Sequence, residues 1–175
     1  MTAVYILLGI VALLLLVPLF TTKDYVIRKE VIINKPVAEV YGFLMYLKNH
    51  RQFNAWLLKD PGLQTTISGT DGQVGCVLAY TGNKDVGSGE LELKGLEDNK
   101  RVAVELHFLK PFKSTAETPF DLTAEDASHT RVSWTMKGHF NYPMNLALLF
   151  INMDNFLGKD VQHSLDKLKV ILESR

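Results

Sequence analysis

Hydrophobic and polar positions along this chain fall into three regimes. Residues 3–20, AVYILLGIVALLLLVPLF, are 18 positions without a charged side chain. As a helix they would be about 27 Å long, close to the hydrocarbon thickness of a bilayer. No face of that helix is polar, which argues against a core helix of a soluble domain. From residue 25 the pattern becomes one of alternation. YVIRKEVIIN (25–34) is rich in β-branched residues and predicts a strand. Asn34 and Pro36 then signal a helix start, and Val37, Val40, Leu44 and Leu47 step by three or four, predicting an amphipathic helix over 36–48. NHRQFNAW (49–56) reads as a polar connection or a short second helix. Six strands are predicted next, at 63–69, 74–81, 86–96, 100–110, 115–124 and 129–140. In RVAVELHF, Val102, Val104, Leu106 and Phe108 share a face; in TRVSWTMKG, Val132, Trp134 and Met136 do. The third regime starts at Tyr142-Pro143. Leu146, Phe150, Met153, Leu157, Val161, Leu165, Leu168 and Leu172 form an unbroken row of three- and four-residue steps, predicting one long C-terminal helix.

The order is therefore strand, one or two helices, six strands, long helix. The links between strands are short (69–72, 82–85, 97–100, 125–128), so neighbours run antiparallel in a meander. The expected class is α+β: a curved antiparallel sheet of about seven strands wrapped on the long C-terminal helix, preceded by one N-terminal transmembrane helix. A curved sheet must bury one face, and a cavity between it and the covering helix is the natural place for function.

Charge and composition sharpen this picture. Nineteen basic and 19 acidic side chains give a formal net charge of zero, so no basic excess points to nucleic acid. The single Cys76 has no partner for an internal disulfide, and no C-x-x-C is present. The N-terminal MTAVY carries no basic residue and VPLFTTKD offers no Ala-x-Ala cleavage pattern, so an uncleaved anchor over 3–20 is expected in preference to a signal peptide. Lys23, Arg28 and Lys29 all follow the span, which places the domain of residues 24–175 on the cytoplasmic side of a single-pass membrane protein.

Candidate chemistry is sparse. GNKDVGSGELELKG (82–95) has glycine spacings reminiscent of a phosphate loop. Ser88 and Gly89, however, stand where Lys and Ser/Thr are needed, Glu92 stands where a third glycine would be, and ELELK alternates with period two. A hairpin with glycines shaping the returning strand is the better reading. Gly87 and Gly89 would make room for an approaching group. The five histidines, 50, 107, 129, 139 and 163, show no i, i+4 pair and no H-E-x-x-H, so no metal is expected. No G-x-S-x-G exists, and Cys76 reads as a buried, inert thiol. Glu90, Glu92, Glu105 and His107 fall on strand faces opposite the apolar ones and point to solvent; Tyr80 is the best inward polar candidate. No cofactor motif is present.

Several stretches carry a resemblance: VIINKPVAEVYGFLMYL with FNAWLLKDPG, VGCVLAYTGNKDVGSGELEL, LKPF (109–112), TRVSWTMKG, and above all YPMNLALLFINMDNFLGKDVQHSLDKLK. With them the chain, over about 24–174, resembles the SRPBCC superfamily of helix-grip proteins, which includes START lipid-transfer domains, pathogenesis-related allergens and polyketide cyclases. The local matches are to membrane-anchored bacterial members of polyketide cyclase/dehydrase-like type. Where many relatives carry tryptophan in the third strand, this chain has Tyr80. The resemblance implies an apolar-ligand pocket but no single reaction. The expected ligand-binding residues are Trp56, Tyr80, Gly87, Gly89, Phe108, Trp134, Met136, Phe140, Met153 and Phe156. The expected function is binding, with transport as an extension, of a lipid-like or polycyclic hydrophobic molecule at a membrane. The alternatives are a cyclase/dehydrase-type enzyme and a structural or interaction module without ligand.

Overall fold

The structure, a computed structural model, describes residues 2–111 and 113–175; Phe112 of the LKPF stretch lies outside them. Helix α1 (Thr2–Leu16) and a 3-10 turn (Val17–Leu19) form the apolar N-terminal segment. Strand β1 (Asp24–Ile33) follows, then helices α2 (Val37–Leu44) and α3 (Leu47–Phe53). Strands β2 (Gln64–Ser68), β3 (Val77–Thr81), β4 (Ser88–Glu97), β5 (Arg101–Lys110), β6 (Ser114–Glu117), β7 (Phe120–Ala124) and β8 (Thr130–His139) make up the rest of the sheet. The chain ends with a 3-10 stretch (Met144–Leu149), a single turn α4 (Met153–Phe156) and helix α5 (Gly158–Glu173).

All strands join one antiparallel sheet in the order β1-β8-β6-β5-β4-β3-β2, with β7 between β5 and β8. The eight strands occupy seven lateral positions, because β6 and β7 are halves of the single strand predicted at 115–124. Pro119 lacks an N–H and cannot complete the ladder there. The register survives the gap: Thr118 N–H donates to the Val104 carbonyl at 2.7 Å, and Thr135 N–H donates to the Pro119 carbonyl at 3.1 Å.

The helix predicted over 36–48 is broken at Met45–Tyr46 and restarts as α3. Asp71 caps that restart, accepting from Leu47 N–H at 2.7 Å and Lys48 N–H at 3.3 Å. A larger departure concerns the C-terminus. The continuous helix expected from residue 143 is continuous only from Gly158. Asn152 takes an extended conformation and its side chain accepts from Asn155 N–H at 3.1 Å, which caps a new helix start in the middle of the apolar row. Residues 144–151 before it therefore do not continue that helix: Leu148 still packs against the core, while Phe150 is 80% exposed.

The core lies between the concave sheet and α5. Val161, Leu165, Leu168 and Leu172 of α5 are buried against Ile27, Ile33, Val132 and the rings of Phe53 and Phe120. Each fully buried leucine contributes about 1.5–3 kcal/mol. Trp134 stacks on Phe120 with ring centres 4.7 Å apart, and Phe53 meets Phe120 edge-on at 6.1 Å.

Candidate functional site

Between the sheet and α5 the packing leaves a cavity of about 70 Å³. Its floor comes from alternate positions of adjacent strands, which share one face: Tyr80 of β3, Leu91 of β4, Val104, Leu106 and Phe108 of β5, and Trp134 and Met136 of β8. Its roof is Leu157, just before α5, and Val161 of α5, and one side is Trp56 and Leu57 after α3. Lys59 closes that side. Its ammonium lies 4.4 Å from the Trp56 ring centre and 2.6 Å from the Asp160 carboxylate, which also lines the cavity.

Five of the ten expected residues, Trp56, Tyr80, Phe108, Trp134 and Met136, line this cavity. Gly89 lies against it. It pairs with Tyr80 across β3 and β4, and a Cβ there would stand 2.5 Å from both Tyr80 Oη and the His107 carbonyl. The group for which this glycine makes room is thus the Tyr80 phenol. Gly87 serves the turn instead. Its φ is +73° and a Cβ would meet the Lys110 carbonyl, while Gly82 N–H donates to the Gly87 carbonyl at 2.8 Å to close the 82–87 hairpin. Phe140 lies outside the cavity, packed on Tyr25 at 5.5 Å between ring centres. Met153 and Phe156 do not line it: Met153 packs into the core, and Phe156 is 64% exposed. The break at Asn152 rotates both away from the positions that an uninterrupted helix would give them.

The polar groups of the cavity are mostly satisfied by one another. Thr118 Oγ1 accepts from Trp134 Nε1. Ser164 Oγ accepts from Ala55 N–H at 2.8 Å and donates to the Asp160 carbonyl at 2.7 Å. Two buried side chains of the cavity keep an open position among the described residues. Tyr80, 3% exposed, makes no side-chain hydrogen bond, and burial pushes its phenol up to about 12. His50, 2% exposed, lies 2.8 Å through Nε2 from the Leu44 carbonyl. A carbonyl only accepts, so Nε2 carries the proton and Nδ1 keeps its lone pair. Burial lowers the imidazole to about 4, leaving it neutral at pH 7. Sequence reasoning missed His50, because NHRQFNAW reads as polar surface. It also missed Leu91, Val104 and Leu106, although their parity with Tyr80 and Phe108 was the signal.

Beside the cavity is an open groove of about 700 Å³, lined by Phe108, Leu109, Phe140 and Met144 together with His107, Lys113, Ser114, Thr115, His139 and Asn141. Phe108 belongs to both spaces. On the outer face of the sheet, ligand atoms of Glu92, Glu105 and His107 lie within 4.8 Å of one another. Lys94 bonds Glu92 at 3.1 Å and His107 Nε2 stands 3.1 Å from Glu105. The Lys94 hydrogen bond is the first cause holding the Glu92 carboxyl below its ordinary value. This is a polar cluster of two carboxylates, an ammonium and an imidazole on the outer face of the sheet, away from the cavity.

A chain with this element order, sheet register and sheet-to-helix cavity is similar to several solved structures. Norcoclaurine synthase from Thalictrum flavum, in complex with dopamine and hydroxybenzaldehyde, matches with a TM-score of 0.64 at 12% identity, over 91% of this chain and 93% of that one. Ara h 8.0201 matches at 0.58 and 13% identity, over 87% and 99%. An uncharacterised protein from Rhizobium leguminosarum matches at 0.60 and 17% identity, over 89% and 98%. The fold is the helix grip. No family model and no curated protein matches the sequence, and at these identities the likeness of the helix-grip domain to its neighbours is one of architecture.

Proposed function

We propose that this helix-grip domain, residues 24–175, binds a hydrophobic small molecule between its sheet and α5 while residues 3–20 anchor it as a single membrane span. The observation that carries the reading is the cavity itself. It is apolar on floor and roof, with two unpaired polar groups, Tyr80 Oη and His50 Nδ1, among its lining side chains. Desolvation of apolar surface would supply the affinity, and a Tyr80 hydrogen bond would orient one polar atom of the ligand. At about 70 Å³ the cavity is well below the roughly 300–1,000 Å³ of drug-sized sites. A lipid-like or polycyclic ligand therefore needs the groove as well, and Phe108 is the partition that must swing. Transport follows from the same arrangement if the ligand is exchanged with the bilayer. That norcoclaurine synthase holds small aromatic molecules on this architecture supports the site, not the ligand's identity.

The positive-inside asymmetry of Lys23, Arg28 and Lys29 supports a cytoplasmic domain. A cyclase/dehydrase-type activity, the alternative suggested by the local sequence resemblance, would use the same two polar groups. An imidazole lowered to about 4 is a weak base at neutral pH, which favours binding over proton abstraction. Native mass spectrometry of the full chain released from lipid nanodiscs tests the proposal. A stoichiometric apolar adduct is expected. A chain that stays bare after challenge with fatty acids, sterols and polycyclic aromatics would leave only the interaction module.

A further inference from the structure

The stretch after β8 is fastened to the end of the N-terminal helix. Asn145 is fully buried, and its Nδ2 donates to the Pro18 carbonyl at 2.7 Å and to Thr21 Oγ1 at 2.8 Å. Its Oδ1 takes no partner. The opposite amide orientation would set that oxygen against the Pro18 carbonyl, so the geometry is dictated by the helix exit. Tyr142 Oη donates to the Leu15 carbonyl at 3.1 Å, inside the last turn of α1. No free linker follows: Phe140 N–H donates to the Lys23 carbonyl at 2.8 Å and β1 begins at Asp24. Residues 142–151 are therefore held at the depth of residues 15–21, whatever that depth is.

What they expose there is apolar. Phe20 (88%) and Phe150 (80%) are the most exposed phenylalanines among the described residues, and Tyr142, Met144, Leu149 and Ile151 are exposed beside them. In water such a cluster is unfavourable; at the boundary of headgroups and acyl chains it is the expected composition, aromatic rings included. Leu109 and Met144 are exposed too, and both line the open groove.

From this we infer that the 142–151 segment and Phe20 form a second, monotopic contact with the lipid bilayer, docking the domain against the membrane with the groove mouth facing lipid. The inference rests on the proposed reading of residues 3–20 as a span. It adds that the domain lies on the membrane in one orientation, so an apolar ligand passes from bilayer to groove without crossing water.

Site-directed spin labels on the full chain in phosphatidylcholine/phosphatidylglycerol nanodiscs test it. Cys76 is buried and is replaced by alanine. Single labels are then placed at Phe150→Cys, Leu149→Cys, Leu8→Cys and Val170→Cys, the last on the exposed face of α5. Collision rates with oxygen, which concentrates in lipid, and with a water-soluble nickel chelate are compared. The expected ratio at positions 149 and 150 is at least three-fold above that at 170 and approaches that at 8. A label at 8 in lipid with labels at 149 and 150 matching 170 overturns the docking and leaves the anchor standing. Labels at 8, 149 and 150 all in water overturn the anchor, and the docking with it. Two positions guard against one variant failing to fold, and intact mass before reconstitution detects cleavage of the segment.

Discussion

Acidification between pH 7 and 5 should destabilise the domain through His50. In the unfolded chain an imidazole titrates near 6.5; in the fold, burial among Phe53 and Phe120, with ring centres at 5.3 and 5.6 Å, lowers it to about 4. Between these two values the unfolded state binds more protons than the native state, so stability rises with pH. The contribution is fully present above about pH 6.5 and is lost as pH falls towards 4. A separation of roughly 2.5 units is worth about 3 kcal/mol in all, of which about 2 kcal/mol is gone by pH 5. For a domain of this size that lowers the melting temperature by about 4–8 °C. The carboxylates held below their ordinary range, Asp126 by the Ser128 N–H, Glu30 by Ser133 and Glu92 by Lys94, act mainly at lower pH. Circular dichroism melts of the full chain in nanodiscs at pH 7.5 and 5 measure the difference. His50→Gln retains a side-chain N–H that can reach towards the Leu44 carbonyl; it should melt lower at pH 7.5 but lose the pH-dependent drop. If the variant keeps the whole drop, or the wild type shows none, a buried neutral imidazole is the wrong account.

Two further substitutions probe the cavity walls. Phe108→Ala should join the cavity to the groove, at a cost of about 2 kcal/mol because the ring is only half-buried; native mass spectrometry should then show heavier adducts than in the wild type, and an unchanged adduct profile would remove Phe108 as the partition. Gly89→Ala should destabilise by about 2–3 kcal/mol in urea titrations, since its Cβ meets the His107 carbonyl, which is backbone, as well as Tyr80; wild-type stability would contradict the close approach.

The meander was legible because the turns at 69–72, 82–85, 97–100 and 125–128 left polar marks, the first two with glycine, and because alternation survives in the long strands. Pro119 could have been read as a break in the strand at 115–124, and its effect is local. What local pattern could not reveal came from partners distant in sequence. The start of α3 is capped by Asp71, from a turn after β2. The apolar row through 146–172 looks continuous, yet Asn145 turns back to Pro18 and Thr21 and Asn152 restarts the helix, and Met153 and Phe156 are not among the cavity-lining residues. His50 is a polar letter in a polar stretch; its burial is set by the Leu44 carbonyl and by Phe120, a ring seventy positions on. The question raised by Gly89 was legible, and so was half of its answer: strand pairing places Tyr80 opposite.

The first strand of the domain pairs along its full length with the last, Asp24 with His139 through to Ile33 with Thr130. During synthesis β1 is made beside the apolar helix and waits, one edge unpaired, until more than a hundred further residues have followed it. Loop-closure entropy of that size slows folding and leaves a β-branched edge open to wrong partners. On the proposal that residues 3–20 span the bilayer, that helix is already held in place and would keep this waiting strand apart from other copies, acting as a chaperone in cis.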